Sequence, residues 1–113
     1  MIEVAFAYDL VPGIDLKAYT NLTRRATSVM MAADGFIEFR AHRNLTGSPQ
    51  VRRTSVWESL MHWAAVTQTT EYQNLMVEFR MYVTNLDVQL WGPSPLAPEP
   101  VRKKLERRHA KTE

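Results

Sequence analysis

Two histidines are the candidate acid–base residues of this 113-residue chain. His42 falls at the end of a predicted strand, and His62 falls in a predicted short helix. An imidazole titrates near neutral pH, so either side chain could remove a proton from a phenol or an enol. Each could equally be structural, His42 as a hydrated strand end and His62 as a helix-surface residue. His42, His62 and His109 are too far apart in sequence to indicate a metal site, and we expect none.

Two arginines could orient a charged ligand. Arg40 and Arg53 lie on predicted strands, as do the acidic residues Glu38 and Asp87. A guanidinium group binds a phenolate or a carboxylate through charge-assisted hydrogen bonds. The same four side chains could instead form cross-strand ion pairs that hold the sheet together.

Aromatic residues at strand ends are the candidate substrate-binding residues. Trp57 and Trp91 end the predicted third and last strands, where an aromatic substrate could stack on them. Packing in an interface would explain both tryptophans equally well. Gln89 is predicted to share a face with Trp91. Tyr8 could donate a hydrogen bond to a ligand, although the apolar even positions of its strand favour a place in the core.

Hydrophobic periodicity predicts the elements that position these residues. Asp15 is the predicted N-cap of the first helix, and Asp34-Gly35 is predicted to end it. A capping box at residues 70–73 should begin the last helix, whose apolar stripe is Tyr72, Leu75, Met76, Phe79 and Val83. The predicted strands are residues 2–10, 36–42, 51–57 and 86–91, and the earlier helices are residues 16–33 and 60–67.

This order, βαββαβ, predicts a ferredoxin-like α+β fold with one four-stranded antiparallel sheet and the helices on one of its faces. The helix-covered face should carry Ile37, Phe39, Val56, Leu86, Val88 and Leu90. The opposite face should carry Glu38, Arg40, His42, Arg53, Ser55, Trp57, Asp87, Gln89 and Trp91. Two tryptophans on an open face indicate an interface or a ligand groove.

Composition and charge restrict the function classes. The domain is expected to span residues 1–92, followed by a Pro-rich and basic tail over residues 93–113. Residues 101–113 carry six Lys or Arg against two Glu, a net charge of 6 − 2 = +4, which leaves 8 − 10 = −2 for residues 1–100. Because the positive excess lies in the tail, nucleic-acid binding is not expected. The sequence contains no cysteine, no membrane-length apolar run, no signal-peptide pattern and no phosphate-binding loop, so we expect a cytoplasmic protein without nucleotide or metal.

Several segments resemble the antibiotic-biosynthesis-monooxygenase-like members of the dimeric α/β-barrel superfamily. They are the passage Val11-Pro12-Gly13, the turn Asp34-Gly35-Phe36, the segment Thr54–Ser59 and the helix segment Gln73–Met76 with Phe79. The resemblance covers residues 1 to about 92 and implies a homodimer whose two sheets form a barrel. It also implies a cleft for a small hydrophobic or aromatic molecule. Haem degradation is not favoured, since the first strand lacks the asparagine of that branch.

Two functions are therefore predicted. In the first, the protein is a cofactor-independent monooxygenase-like enzyme acting on an aromatic or polyketide-like molecule. His42 or His62 would then remove a proton, Arg40 and Arg53 would hold the oxyanion, and the two tryptophans would form the pocket walls. In the alternative, the protein is a non-catalytic dimeric module that binds a small ligand or another protein.

Overall fold

The computed structural model describes residues 1–103 and shows one antiparallel sheet covered by helices on one face. The elements follow in the order βαββααβ, and the strands lie in the order β2-β3-β1-β4. The predicted ferredoxin-like α+β fold is confirmed. Part of the predicted tail, residues 104–113, lies outside the described residues. The elements are β1 (Ile2–Leu10), α1 (Leu16–Met31), β2 (Phe36–Arg43), β3 (Val51–Trp57), α2 (Leu60–Thr67), α3 (Thr70–Phe79) and β4 (Val83–Trp91).

Side-chain caps explain where the helices begin, whereas α1 ends at Met31, two residues before the predicted end at residue 33. The Asp15 carboxylate accepts hydrogen bonds from the backbone N–H groups of Lys17 and Ala18, which confirms the predicted N-cap. The cap of α3 is Thr69, one residue before the predicted capping box, and its hydroxyl accepts from the N–H of Tyr72. That helix also ends before the predicted stripe does, because Val83 begins β4.

Strand β4 begins three residues before its predicted start at residue 86. The prediction missed these first residues because their backbone is irregular. Asn85 has a positive φ of 56°, and the pairing of β1 with β4 shifts between Ala7 and Asp9. A bulge interrupts the alternation of inward and outward side chains, so residues 83–85 do not show the period of a regular strand.

The register of β3 corrects one of the predicted faces. Val4 lies opposite Ser55, and Phe6 lies opposite Arg53. Residues directly opposite each other in an antiparallel pair project to the same face. Val4 belongs to the core formed with the helices, so the odd residues of β3 face the helices. The prediction that Arg53, Ser55 and Trp57 lie on the open face is wrong, as is the prediction that Val56 faces the helices.

The predicted faces of β4, and of β2 from Glu38 onward, agree with the register. The prediction that Ile37 faces the helices is wrong, because the pairing shifts between Phe36 and Glu38, so Phe36 packs on the core and Ile37 is exposed. Glu38, Arg40 and His42 lie opposite the even residues of β3, on the open face. Asp87, Gln89 and Trp91 lie opposite odd residues of β1, also on the open face. The core between sheet and helices is aromatic: Trp57 packs against Phe36 and Trp63, and Tyr8 against Phe79.

The Asp9 carboxylate connects β1 to two other parts of the sheet. It accepts hydrogen bonds from Ser48 Oγ at 2.6 Å, from the Gln50 backbone N–H at 2.8 Å and from Asn85 Nδ2 at 3.1 Å. The hydrogen bonds of Ser48 and Asn85 lower the pKa of Asp9. Asp9 therefore links the hairpin between β2 and β3 to the bulged start of β4.

We expect Asp9→Asn to lower the free energy of unfolding at neutral pH and to flatten its dependence on acid pH. Because the folded pKa is lowered, the stabilisation by Asp9 is present above the unfolded pKa and is lost as pH falls through the folded pKa. Urea denaturation at a series of pH values measures both effects. Asp34→Asn, at an exposed turn position, is the control, and equal behaviour of the two variants would contradict the role given to Asp9.

Candidate functional site

A mainly apolar cleft lies between the sheet and helices α1 and α3. Its volume is about 50 Å³, below the roughly 300–1,000 Å³ of typical ligand sites. Met30, one of its lining residues, has an unbranched side chain with several rotatable bonds, the kind that adapts to the shape of a neighbour. The lining residues are Val4, Phe6, Leu22, Thr23, Ala26, Met30, Phe39, Arg53, Ser55, Trp63, Tyr72, Leu75 and Phe79.

Arg53 is the one ionisable cation among these lining residues. Its Nη2 donates to Thr27 Oγ1 at 2.9 Å and to the Thr23 carbonyl at 3.5 Å, both on α1. Its guanidinium carbon lies 4.4 Å from the centroid of the Phe39 ring, a cation–π arrangement. Within residues 1–103, no carboxylate forms an ion pair with Arg53. Burial lowers the pKa of Arg53, yet a guanidinium stays protonated at any physiological pH, so the cleft holds a positive charge.

Tyr8 lies behind this charge in the core. Its side chain is fully buried, and its hydroxyl shares a hydrogen bond with that of Tyr19. Burial, followed by this hydrogen bond, raises the pKa of Tyr8 above its usual range, while the Arg53 charge opposes the rise. Tyr8 therefore stays protonated at neutral pH. The apolar periodicity of β1 indicated this core position.

Ser55 and Trp57 form a further polar contact on the helix-covered face of the sheet. Trp57 is fully buried, and its Nε1 donates to Ser55 Oγ at 2.8 Å. Ser55 is itself 5% exposed and lines the cleft. Trp57 does not line the cleft directly, so it contacts this space through Ser55.

The remaining predicted residues, apart from His62, lie across the sheet on the open face. Arg40 forms ion pairs with Glu38 on its own strand at 2.9 Å and with Glu3 of β1 at 3.3 Å. Neither Arg53 nor Asp87 forms an ion pair within residues 1–103. His42 is exposed and shares a shallow groove with Arg40, Arg52, Gln89 and Trp91.

A chain of hydrogen bonds follows β4 on the same face. Trp91 Nε1 donates to Gln89 Oε1 at 3.0 Å, and Gln89 Nε2 donates to Asp87 Oδ2 at 2.8 Å. Trp91 remains 58% exposed in the single chain. These three residues do not reach the cleft, because the sheet separates the two faces.

His62 lies neither in the cleft nor on the open face of the sheet. Its Nδ1 shares a hydrogen bond of 2.7 Å with the hydroxyl of Ser59, the N-cap of α2. Its ring packs against Gly35, where φ is +82° and where an added Cβ would collide with the imidazole. His62 thus fits the turn between α1 and β2.

The structure therefore divides the predicted site in two. It brings Arg53 into the cleft and leaves Arg40, His42 and Trp91 on the open face. The sequence-based site missed Phe39, Ser55, Trp63 and Tyr72, all of which line the cleft. Hydrophobic periodicity places Phe39 and Tyr72 on the apolar sides of their elements, and the correct register of β3 adds Arg53 to the same space.

Two negative findings concern the part of the chain that the structure describes. Over residues 1–103, no three His, Cys, Asp or Glu residues are grouped so that they could hold a metal ion. None of the helices there is long and apolar enough to cross a membrane.

Comparisons with known proteins agree with the resemblance seen in the sequence. The profile of the family described as antibiotic biosynthesis monooxygenase matches residues 1–77. The chain therefore belongs to the antibiotic biosynthesis monooxygenase family. No protein with a curated description matches the chain significantly.

Solved structures with the same fold are distant in sequence. SnoaB, a cofactor-independent oxygenase from Streptomyces nogalater, has a TM-score of 0.72 and 11% identity, covering 87% of this chain and 97% of its own. Rv0793 from Mycobacterium tuberculosis has a TM-score of 0.69 and 15% identity, covering 82% and 94%. A conserved protein from Methanosarcina mazei has a TM-score of 0.71 and 10% identity, covering 80% and 89%. Identities this low establish the shared fold alone.

We expect Gly35→Ala to destabilise the protein by about 1–2 kcal/mol from its left-handed backbone alone, with a further loss from the collision with His62. The double variant Gly35→Ala/His62→Ala should recover part of that loss, because it removes the collision and keeps the backbone strain. Urea denaturation of both single variants and the double variant measures the coupling. Strictly additive losses would contradict the packing role given to His62.

Proposed function

We propose that the protein is a cofactor-independent oxygenase of aromatic phenols or enols, and that the reaction takes place in the cleft between sheet and helices. The observation that carries the proposal is the Arg53 guanidinium, which lies among aromatic and aliphatic side chains without a carboxylate partner in the described residues. Arg53 is half-buried, and a charge partly withdrawn from water without a counterion is costly. An anionic aromatic ligand would supply the missing charge and fit the apolar walls.

The reaction follows from what the cleft provides. A phenol or enol that loses its proton becomes an oxyanion whose charge is shared with ring carbon, and Arg53 stabilises that oxyanion. The electron-rich carbon then reacts with O₂. For a ring CH₂ group the balance is CH₂ + O₂ → C=O + H₂O: two C–H bonds break, one oxygen atom enters the product and the other leaves as water. The substrate supplies all the electrons.

The proposed cleft has no dedicated general base. Its lining residues in the described part of the chain include no carboxylate and no imidazole, and Tyr72 is held protonated because burial raises its pKa. The proton therefore leaves to water at the cleft mouth, and the contribution of the protein is to lower the pKa of the bound substrate. This replaces the base that the sequence analysis sought in His42 or His62.

Arg53→Met should raise the pKa of bound 1-naphthol by about 1–3 units, the usual effect of removing an opposite charge a few ångströms away. Met keeps the length and apolar character of the arginine stem. Absorbance titration of the bound naphthol measures the shift. Arg52→Met is the matched control, since Arg52 is the neighbouring residue on the other face of β3.

The same pair of variants tests turnover. Anthrone, a tricyclic ketone whose enol is a phenol, should be converted to anthraquinone, and Arg53→Met should slow the conversion about 10-fold or more, the rate effect of one pKa unit. Equal effects of Arg52→Met and Arg53→Met would contradict the proposal. Binding of naphthol without oxidation of any phenol would instead favour the non-catalytic module.

We further propose that the open face of the sheet pairs with a second copy of the chain. Small and apolar residues run along its centre, among them Ala5, Thr54 and Val56. Charges of both signs surround them, and Trp91 is exposed at one edge. A mixed-charge surface with an exposed tryptophan suits pairing with its own copy.

Light scattering on the purified protein should give twice the 13.1 kDa mass of one chain. Trp91→Asp should produce the monomer at low micromolar concentration, because it replaces the exposed aromatic surface with a charge. Val77→Asp, at an exposed position of α3, is the control and should remain dimeric. A monomeric wild type, or dissociation in both variants, would contradict this interface.

A further inference from the structure

A hydrogen bond between two buried side chains next to the cleft carries a further inference. The Trp57 indole is fully buried, so its N–H needs an acceptor, which it finds in Ser55 Oγ at 2.8 Å. A hydroxyl can accept such a bond and still donate its own proton. Within residues 1–103 this is the one hydrogen bond that the Ser55 side chain makes. The Ser55 proton is therefore available to a ligand in the cleft.

The register places this hydroxyl on the same face of β3 as Arg53. Ser55 lies directly opposite Phe39 on β2. The Arg53 guanidinium lies over the ring of that same phenylalanine, 4.4 Å from its centroid. Both groups also line the cleft. The two donors thus line the same space, which is otherwise mostly apolar.

We propose that Ser55 is a second donor to the ligand oxygen, beside Arg53, and that Trp57 is a positioning residue that orients the Ser55 hydroxyl. This inference rests on the proposed function of the cleft and deepens it. An N–H donated to a hydroxyl oxygen directs the hydroxyl proton away from itself and strengthens it as a donor. The indole therefore acts on the ligand only through the serine.

The two donors, Arg53 and Ser55, define the ligand class more narrowly than the apolar walls of the cleft do. A phenolate or enolate oxygen has several lone pairs and can accept from a guanidinium and a hydroxyl at once. A plain aromatic hydrocarbon fills the same apolar walls but leaves both donors without a partner, which is costly in a buried site. The cleft should therefore select aromatic molecules that carry one anionic oxygen over hydrocarbons of the same size.

A double-mutant cycle tests whether Trp57 acts on the ligand through Ser55. The probe is 1-naphthol, and naphthalene is the ligand that lacks the oxygen. Ser55→Ala should weaken naphthol binding about 10-fold, in the range of a hydrogen bond to a charged group, and should leave naphthalene binding unchanged. Trp57→Phe should weaken naphthol binding by a smaller factor. The double variant should match Ser55→Ala alone, since the indole has no route to the ligand without the serine.

Trp63→Phe is the matched control for the indole. Trp63 lines the same cleft, and its Nε1 donates no hydrogen bond to another described residue. Its effect should add to that of Ser55→Ala. If Trp57→Phe fails to fold, the indole N–H resonance of Trp57 in the otherwise unchanged protein provides the readout: naphthol should shift it in the wild type and not in Ser55→Ala.

The outcomes separate this inference from the proposed function. An unchanged naphthol affinity in Ser55→Ala, together with a loss in Arg53→Met, would overturn the second donor and leave the proposed function standing. Additive effects of Trp57→Phe and Ser55→Ala on naphthol affinity would overturn the positioning role of Trp57. If Ser55→Ala weakens naphthol binding and Arg53→Met does not, the oxyanion role of Arg53 in the proposed function is overturned. A wild type that binds neither probe would overturn both.

Discussion

The pairing of β3 with β1 is the constraint on which the site depends. Phe6 lies opposite Arg53 and Val4 opposite Ser55, so the polar residues of the central strand point under the helices. A register shifted by one residue would put Arg52 and Thr54 there instead. The aromatic core holds this register, because the Trp57 indole packs against Phe36 and Trp63 in the same layer.

This register produces two faces with different chemistry. The open face carries charges of both signs that already pair, as Arg40 does with Glu3 and Glu38. The covered face holds one guanidinium that donates to Thr27 and a backbone carbonyl and lies over an aromatic ring, without a carboxylate partner in the described residues. Burying a charge costs several kcal/mol unless it is compensated. An anionic ligand would offset that cost, which is the physical basis of the proposed function.

The sequence predicted the fold better than the site, for reasons visible in particular residues. Period-two and helical patterns in β1 and α1 are regular, and Asp15 marks the start of α1, although the helix ends at Met31, before the predicted residues 33–35. In β3, Val56 and Trp57 are apolar neighbours in opposite phases, so periodicity does not decide which of them faces the helices. Only pairing with β1, between residues about fifty positions apart, resolves that choice. Asn85 shows the same limit, since its bulge hides the start of β4 from any regular pattern.

The central claim is that a phenolic ligand binds in the covered cleft with its oxygen at Arg53. A crystal structure of the protein with anthrone, grown without O₂, tests this most directly. We expect the rings to lie between the sheet, α1 and α3, with the oxygen within hydrogen-bond distance of the Arg53 guanidinium. Anthrone bound on the open face, beside His42 and Trp91, would contradict it.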